Sequence, residues 1–205
     1  MKKLSLMLVV MIFASSVFAI KNESKKSSFE IDTKESKVYW TGKKVSGEHT
    51  GYLSIGSGSV MVEGGNVVGG NINMDLNSIV CTDLTGEWND KLVGHLKSED
   101  FFSVEKYPNA NFEISSIKAA DNGNYQVTGN LSMKSITHEI SFPANVSLKD
   151  GKVDAKGTAS IDRTKWDIKY GSGKFFQGLS DKMIKDEFDI TFELKTKTVG
   201  ALTVK

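Results

Sequence analysis

The sequence predicts an all-β fold, one closed antiparallel barrel of about eight strands with one or two short helices. Three observations carry this. Apolar residues alternate with polar ones at period two along most of the chain, residues that favour tight turns fall between the alternating runs, and helical spacing interrupts the pattern only briefly.

The elements follow in order. Lys2 and Lys3 precede an apolar run from Leu4 to Phe13, and Val17-Phe18-Ala19 supplies residues that a signal peptidase accepts. Residues 1–19 therefore read as an export signal cleaved after Ala19. The apolar run falls short of the ~20 residues that span a bilayer. No cysteine follows directly to carry a lipid, so a soluble protein of the periplasm or the extracellular space is expected. Residues 20–28 are polar and Ser-rich and read as a flexible lead-in. Residues 29–197 are expected to form the barrel, and 198–205 a C-terminal tail.

Val38 and Trp40 share one strand face. Ile72, Met74 and Leu76 share another, as do Phe112 and Ile114, and then Tyr125, Val127, Leu131 and Met133. Ile140, Phe142, Ala144, Val146 and Leu148 continue the pattern, followed by Val153, Ala155, Ala159 and Ile161, and finally Phe188, Ile190, Phe192 and Leu194. Gly64-Gly65-Asn66, Asp121 to Asn124 and Lys149-Asp150-Gly151 fall where hairpins close. Short connections imply a meander, and closing it removes the exposed edges. Trp88, Leu92 and Leu96 recur at helical spacing within 87–96, with Thr85 as a candidate N-cap. Phe175 to Ile184 is a second, weaker helical candidate.

The dry face mixes bulky residues (Trp40, Phe112, Met133, Phe142, Phe192) with small ones (Gly129, Ala144, Ala155, Gly157, Ala159). Either the small residues fit the taper of a packed barrel, or they leave a channel for an apolar chain. The periodicity leaves both open.

Little in the chain points to chemistry. Charges are nearly balanced, 26 basic against 25 acidic side chains, which argues against a nucleic-acid surface and against a polybasic membrane patch. Cys81 is the only cysteine, so no intramolecular disulfide forms; it reads as a small buried hydrophobe, with a reactive thiol as the alternative. His49, His95 and His138 have no metal-site spacing, and no nucleophile elbow or phosphate loop is present. These absences point away from an enzyme and from a bound metal.

Several segments resemble the YceI-like family of exported lipid-binding barrels. His95 to Phe102 (HLKSEDFF) followed by Tyr107 to Phe112 (YPNANF), Tyr125 to Ser132 (YQVTGNLS), Ile161-Asp162-Arg163, and Lys185 to Phe188 (KDEF) match its motifs in order and spacing. The resemblance implies a lipocalin-like barrel holding an isoprenoid chain along its axis, such as an isoprenoid quinone or a polyprenyl lipid. No other cofactor is expected, the charge balance and the short apolar run leave no nucleic-acid partner and no integral membrane anchor expected, and the oligomeric state stays open, with a dimer as one option. Where the family runs Asp-Phe-Gly after the Ile-Asp-Arg motif, this chain has Thr164-Lys165-Trp166-Asp167, and the bulkier Trp166 is expected to reshape one end of the channel. The expected lining is Trp40, Met74, Leu76, Phe112, Leu131, Met133, Phe142, Ile161, Trp166, Phe188 and Phe192. Two other readings are a packed barrel with a stress or interaction role, and an enzyme on an apolar small molecule using His49 or His95.

Overall fold

A computed structural model describes residues 26–121 and 124–198. The expected export signal, most of the lead-in and nearly all of the tail lie outside them. Nine strands and one α-helix follow in order: β1 (Lys26–Glu30), β2 (Lys37–Lys44), β3 (Gly47–Glu63), β4 (Asn66–Cys81), α1 (Gly86–Lys97), β5 (Asn109–Ala119), β6 (Asn124–Met133), β7 (Ile136–Lys149), β8 (Lys152–Asp162) and β9 (Ile184–Lys195). From β2 to β9 each strand pairs antiparallel with the next, and β9 pairs back onto β2 to close eight staves. β1 lies beside the far half of β3, Lys26 against Glu63, so β1 and β2 form one interrupted stave. Residues 26–28, expected in the lead-in, are thus already strand.

The two ends of the barrel differ. Three hairpins turn at one end, including Gly64-Gly65 and Asp150-Gly151, all four residues with positive φ as type I′ turns require. At the other end, the β2–β3 and β6–β7 turns stand beside the two long connections. One of these carries α1 and the other is the 163–183 segment between β8 and β9.

Strand β4 carries an excursion. Tyr52 pairs with Val80 but Ser54 with Asp75, so Leu76 to Ile79 stand against Leu53 alone. Ser78 Oγ ties it off, donating to the Asp75 carbonyl at 2.6 Å and accepting from the Ser54 N–H at 2.7 Å. Leu76 and Ile79 are both buried as a result. Pairing of β4 with β5 ends at Asp75, and the α1 connection packs beside the departing strand.

Helix α1 forms where its spacing predicts, but differently in detail. Thr85 makes no side-chain cap; Asn89 instead donates to the carbonyls of Cys81 and Leu84. Leu92 and Leu96 pack on the barrel, whereas Trp88 is 70% exposed. The second helical candidate does not form. Gly178 and Ser180 hold positive φ, which breaks the helical backbone, and only a 3-10 turn at Ser180–Lys182 remains.

Candidate functional site

The barrel is not filled. A cavity along its interior leaves the centre of a water-sized sphere about 120 Å³ in which to move. One water needs roughly 10–15 Å³ on that measure, so the space exceeds what a single water fills. Every residue of the wall is apolar. Water there would find no polar partner, while hydrocarbon would lose nothing by entering. Phe142 sits between Phe112 and Phe192, with ring centroids 5.5 and 5.2 Å away, and all three rings line the space.

Of the expected lining, Met74, Leu76, Phe112, Leu131, Met133, Phe142, Ile161, Phe188 and Phe192 do face this cavity. Two residues lie elsewhere. Trp40 faces a second chamber of about 80 Å³ at the long-connection end, its Nε1–H donating to the Val80 carbonyl at 3.2 Å. Trp166 lines neither chamber. After β8 the chain winds into a 3-10 turn, Arg163–Trp166, which buries the indole beside the barrel wall with Nε1–H on the Leu131 carbonyl at 3.1 Å.

Leu53, Phe102, Phe188 and Ile190 border both chambers and form the partition between them. Phe102 reaches it from the α1–β5 connection, and Leu53 from β3 opposite the β4 excursion. Sequence periodicity missed Leu53 and Val60, because β3 reads Gly56-Ser57-Gly58-Ser59 where bulky alternation would have marked it.

The small inward residues divide into two groups. Ala144, Ala155 and Ala159 face the cavity. The glycines do not hold space open. A Cβ on Gly157 would meet the Phe192 ring at 2.6 Å, and one on Gly129 the Phe112 ring at 2.6 Å. A neighbouring aromatic ring covers each, as happens where glycine interrupts a sheet face.

The second chamber is organised by Arg163, which is buried. Its Nε–H donates to the Lys185 carbonyl at 3.1 Å, one terminal nitrogen to Ile168 at 2.8 Å and the other to Ile184 at 3.2 Å. Asp186 lies 3.8 Å away and is held from its other side by Lys174 at 3.1 Å. Burial pushes the guanidinium below its ordinary value, and Asp186 pulls it back. The side chain is a clasp that binds the 163–168 turn to the start of β9.

None of the histidines reaches either chamber. His49 Nδ1 lies 2.7 Å from Asp83, His95 Nε2 3.1 Å from Asp100, and His138 Nε2 donates to the Lys165 carbonyl at 3.0 Å. Among the described residues no three His, Cys, Asp or Glu side chains are grouped to hold a metal, and no helix is long and apolar enough to cross a membrane. Cys81 is buried, donates to Asp83 at 3.2 Å, and its thiol is pushed upward by burial.

Asp83 gathers these partners. Partial burial pushes its carboxyl upward, but the Thr50 N–H, His49 and Cys81 outweigh that and hold it at about 2 against an ordinary 3.8. Its contribution to stability is complete above about pH 4 and is lost as pH falls through about 2. Asp83→Asn is expected to flatten the acid limb of a urea-midpoint profile measured across that window.

Comparison with known proteins bears on the fold and the family. The model of the YceI-like domain matches residues 29–196. A UPF0312 protein of Pseudomonas syringae pv. tomato is 32% identical over 105 residues, 48% of this chain and 50% of that protein. One from Pseudomonas putida is 40% identical over 50 residues, 24% of this chain and 26% of that protein. These matches span a quarter to a half of the relatives' own length. Among solved structures, Burkholderia cenocepacia BcnA superposes with a TM-score of 0.65 at 23% identity, covering 82% of this chain and 99% of that one. A polyisoprenoid binding domain from Saccharophagus degradans gives 0.61 at 16% identity, covering 83% and 98%. At these identities the likeness is one of fold.

Proposed function

The chain belongs to the YceI-like family, and from that premise we propose that it binds a long apolar chain, an isoprenoid quinone or polyprenyl lipid, inside its barrel for carriage or sequestration. The observation that carries the reading is the long chamber with an entirely apolar wall. The Saccharophagus degradans domain, described as polyisoprenoid binding, supports the same ligand class. Each buried methylene-sized unit contributes about 0.8 kcal/mol, so about fifteen give roughly 12 kcal/mol. Several kcal/mol of this are offset by ordering the tail and losing translational freedom, which leaves an affinity in the micromolar range. Such a complex is tight enough to shield a tail from water and loose enough to release it. No nucleophile, acid–base pair or metal ligand set borders the chamber, so the reading is binding rather than catalysis. Residues 1–19 support a site of action outside the cytoplasm.

Protein purified under native conditions from the cell envelope, then extracted with organic solvent and analysed by mass spectrometry, tests this. A near-stoichiometric polyprenyl or quinone species is expected. Preparations that repeatedly yield none would sink the proposal.

A further inference from the structure

Large apolar side chains that remain exposed are concentrated at the long-connection end of the barrel. Phe175 and Phe176, adjacent on the 163–183 connection, are each 49% exposed, and Val45 on the β2–β3 turn is 57% exposed. The two segments are joined, since the Val45 N–H donates to the Met183 carbonyl at 3.2 Å. None of the three lines either chamber, so cavity formation does not account for them.

Lysines are concentrated in the same two segments. The turn contributes Lys44, and residues 169–182 contribute Lys169, Lys174 and Lys182 against a single carboxylate, Asp181. Lys169 lies 5.2 Å from the Phe175 ring while pairing with Asp167, and Lys174 is held by Asp162 and Asp186. Lys44 and Lys182 make no ion pair among the described residues. The near-neutral balance of the whole chain hides this local excess, because the α1 connection, which meets the 163–183 connection at Tyr170, is rich in Asp and Glu.

We propose that Phe175, Phe176 and Val45, with Lys44 and Lys182 on the same two joined segments, form a docking surface for an anionic lipid bilayer. Aromatic rings favour the interfacial zone of a membrane, and lysines beside them meet anionic headgroups within a Debye length. Paired phenylalanines on a loop beside unpaired lysines match both layers of such a surface; a protein partner would not require that order. The loop also borders the second chamber, through the Ile184 N–H on the Gly171 carbonyl at 2.8 Å. Docking would therefore place that chamber against the bilayer. Only this last consequence rests on the proposed lipid-binding function; the surface itself does not.

Co-sedimentation with vesicles tests it, using the chain as purified from the producing cell. Vesicles of phosphatidylethanolamine with about one third phosphatidylglycerol carry the anionic surface, and phosphatidylcholine vesicles provide the neutral control. The protein is expected to sediment with the anionic vesicles and to release at ~1 M salt, where the Debye length falls to about 3 Å. The double variant F175S/F176S is expected to lower the partition coefficient tenfold or more. K44E/K182E is expected to abolish the preference for phosphatidylglycerol. Both pairs are exposed, so the melting temperature should move by no more than about 2 °C. Uptake of a fluorescent apolar probe into the barrel, measured without vesicles, should not change in either variant. Vesicle binding that survives F175S/F176S would overturn the proposal. So would a wild-type dimer, seen by light scattering, that the same variant makes monomeric without loss of vesicle binding. Failure of probe uptake with vesicle binding intact would count against the lipid-binding function and leave the surface standing.

Discussion

Ala144→Phe is expected to empty the barrel of its apolar ligand while leaving it folded. The Ala144 side chain faces the long chamber midway along β7, opposite Tyr125 on one side and Gly157 on the other. A phenyl ring there occupies volume that the wild-type barrel leaves free. Displacing about four carbons of ligand forfeits ~3 kcal/mol, a loss of roughly two orders of magnitude in affinity. Overpacking a filled core would instead cost about 1–3 kcal/mol of stability. Ligand recovered from the envelope and the thermal midpoint are therefore read together. Lost ligand with a preserved midpoint supports an open chamber, whereas retained ligand with a lowered midpoint would refute it. Gly157→Ala offers the contrast. Its new methyl would meet Phe192 at 2.6 Å and the Pro143 carbonyl at 2.7 Å, so the fold should suffer and ligand loss should merely follow.

Arg163→Ala is the second large expected effect, and it acts on stability. Three backbone carbonyls that accept from the guanidinium are left without it in a buried setting, and Asp186 keeps only Lys174 of its two cations. Removing one member of a buried, hydrogen-bonded charge cluster costs roughly 3–5 kcal/mol. For a domain of this size each kcal/mol moves the midpoint by about 2–4 °C, so a fall on the order of 10 °C is expected. Arg163→Lys should recover little, because an ammonium cannot reach carbonyls of Ile168, Ile184 and Lys185 in the planar fork they require. A lysine variant with a wild-type melting curve would show that charge alone holds the turn.

Most of the barrel was legible because its strands are wet on one face and dry on the other. Val127, Leu131 and Met133 declare their side through Gln126, Thr128 and Ser132. Where that contrast weakens, so does the reading. The Gly-Ser stretch of β3 concealed Leu53 and Val60. The β6–β7 hairpin turns through Lys134 and Ser135, both with positive φ and neither a usual turn signal. Trp166 was assigned to the lining because it departs from the family's Asp-Phe-Gly after the Ile-Asp-Arg motif, where a bulkier residue would reshape one end of the channel. Only the 3-10 turn, visible in three dimensions, carries it elsewhere. Whether Gly157 and Gly129 supply room stayed open, since a sequence does not record which ring leans over a missing side chain. The role of Arg163 was hidden for a related reason. Its partners are main-chain carbonyls, and backbone atoms leave no mark in composition.

The closure of the last strand onto the second also governs when the fold can exist. β2 and β9 come from nearly opposite ends of the barrel sequence, while every other pairing in the meander joins neighbours. As synthesis proceeds, hairpins can form one after another at little entropic cost. The sheet nevertheless keeps two bare edges, β2 and its most recent strand, until β9 arrives. A chain halted before Ile184 would be an open sheet with its oily face to water. The cell thus meets the risk of aggregation during the making of this protein, and the final dozen strand residues end it.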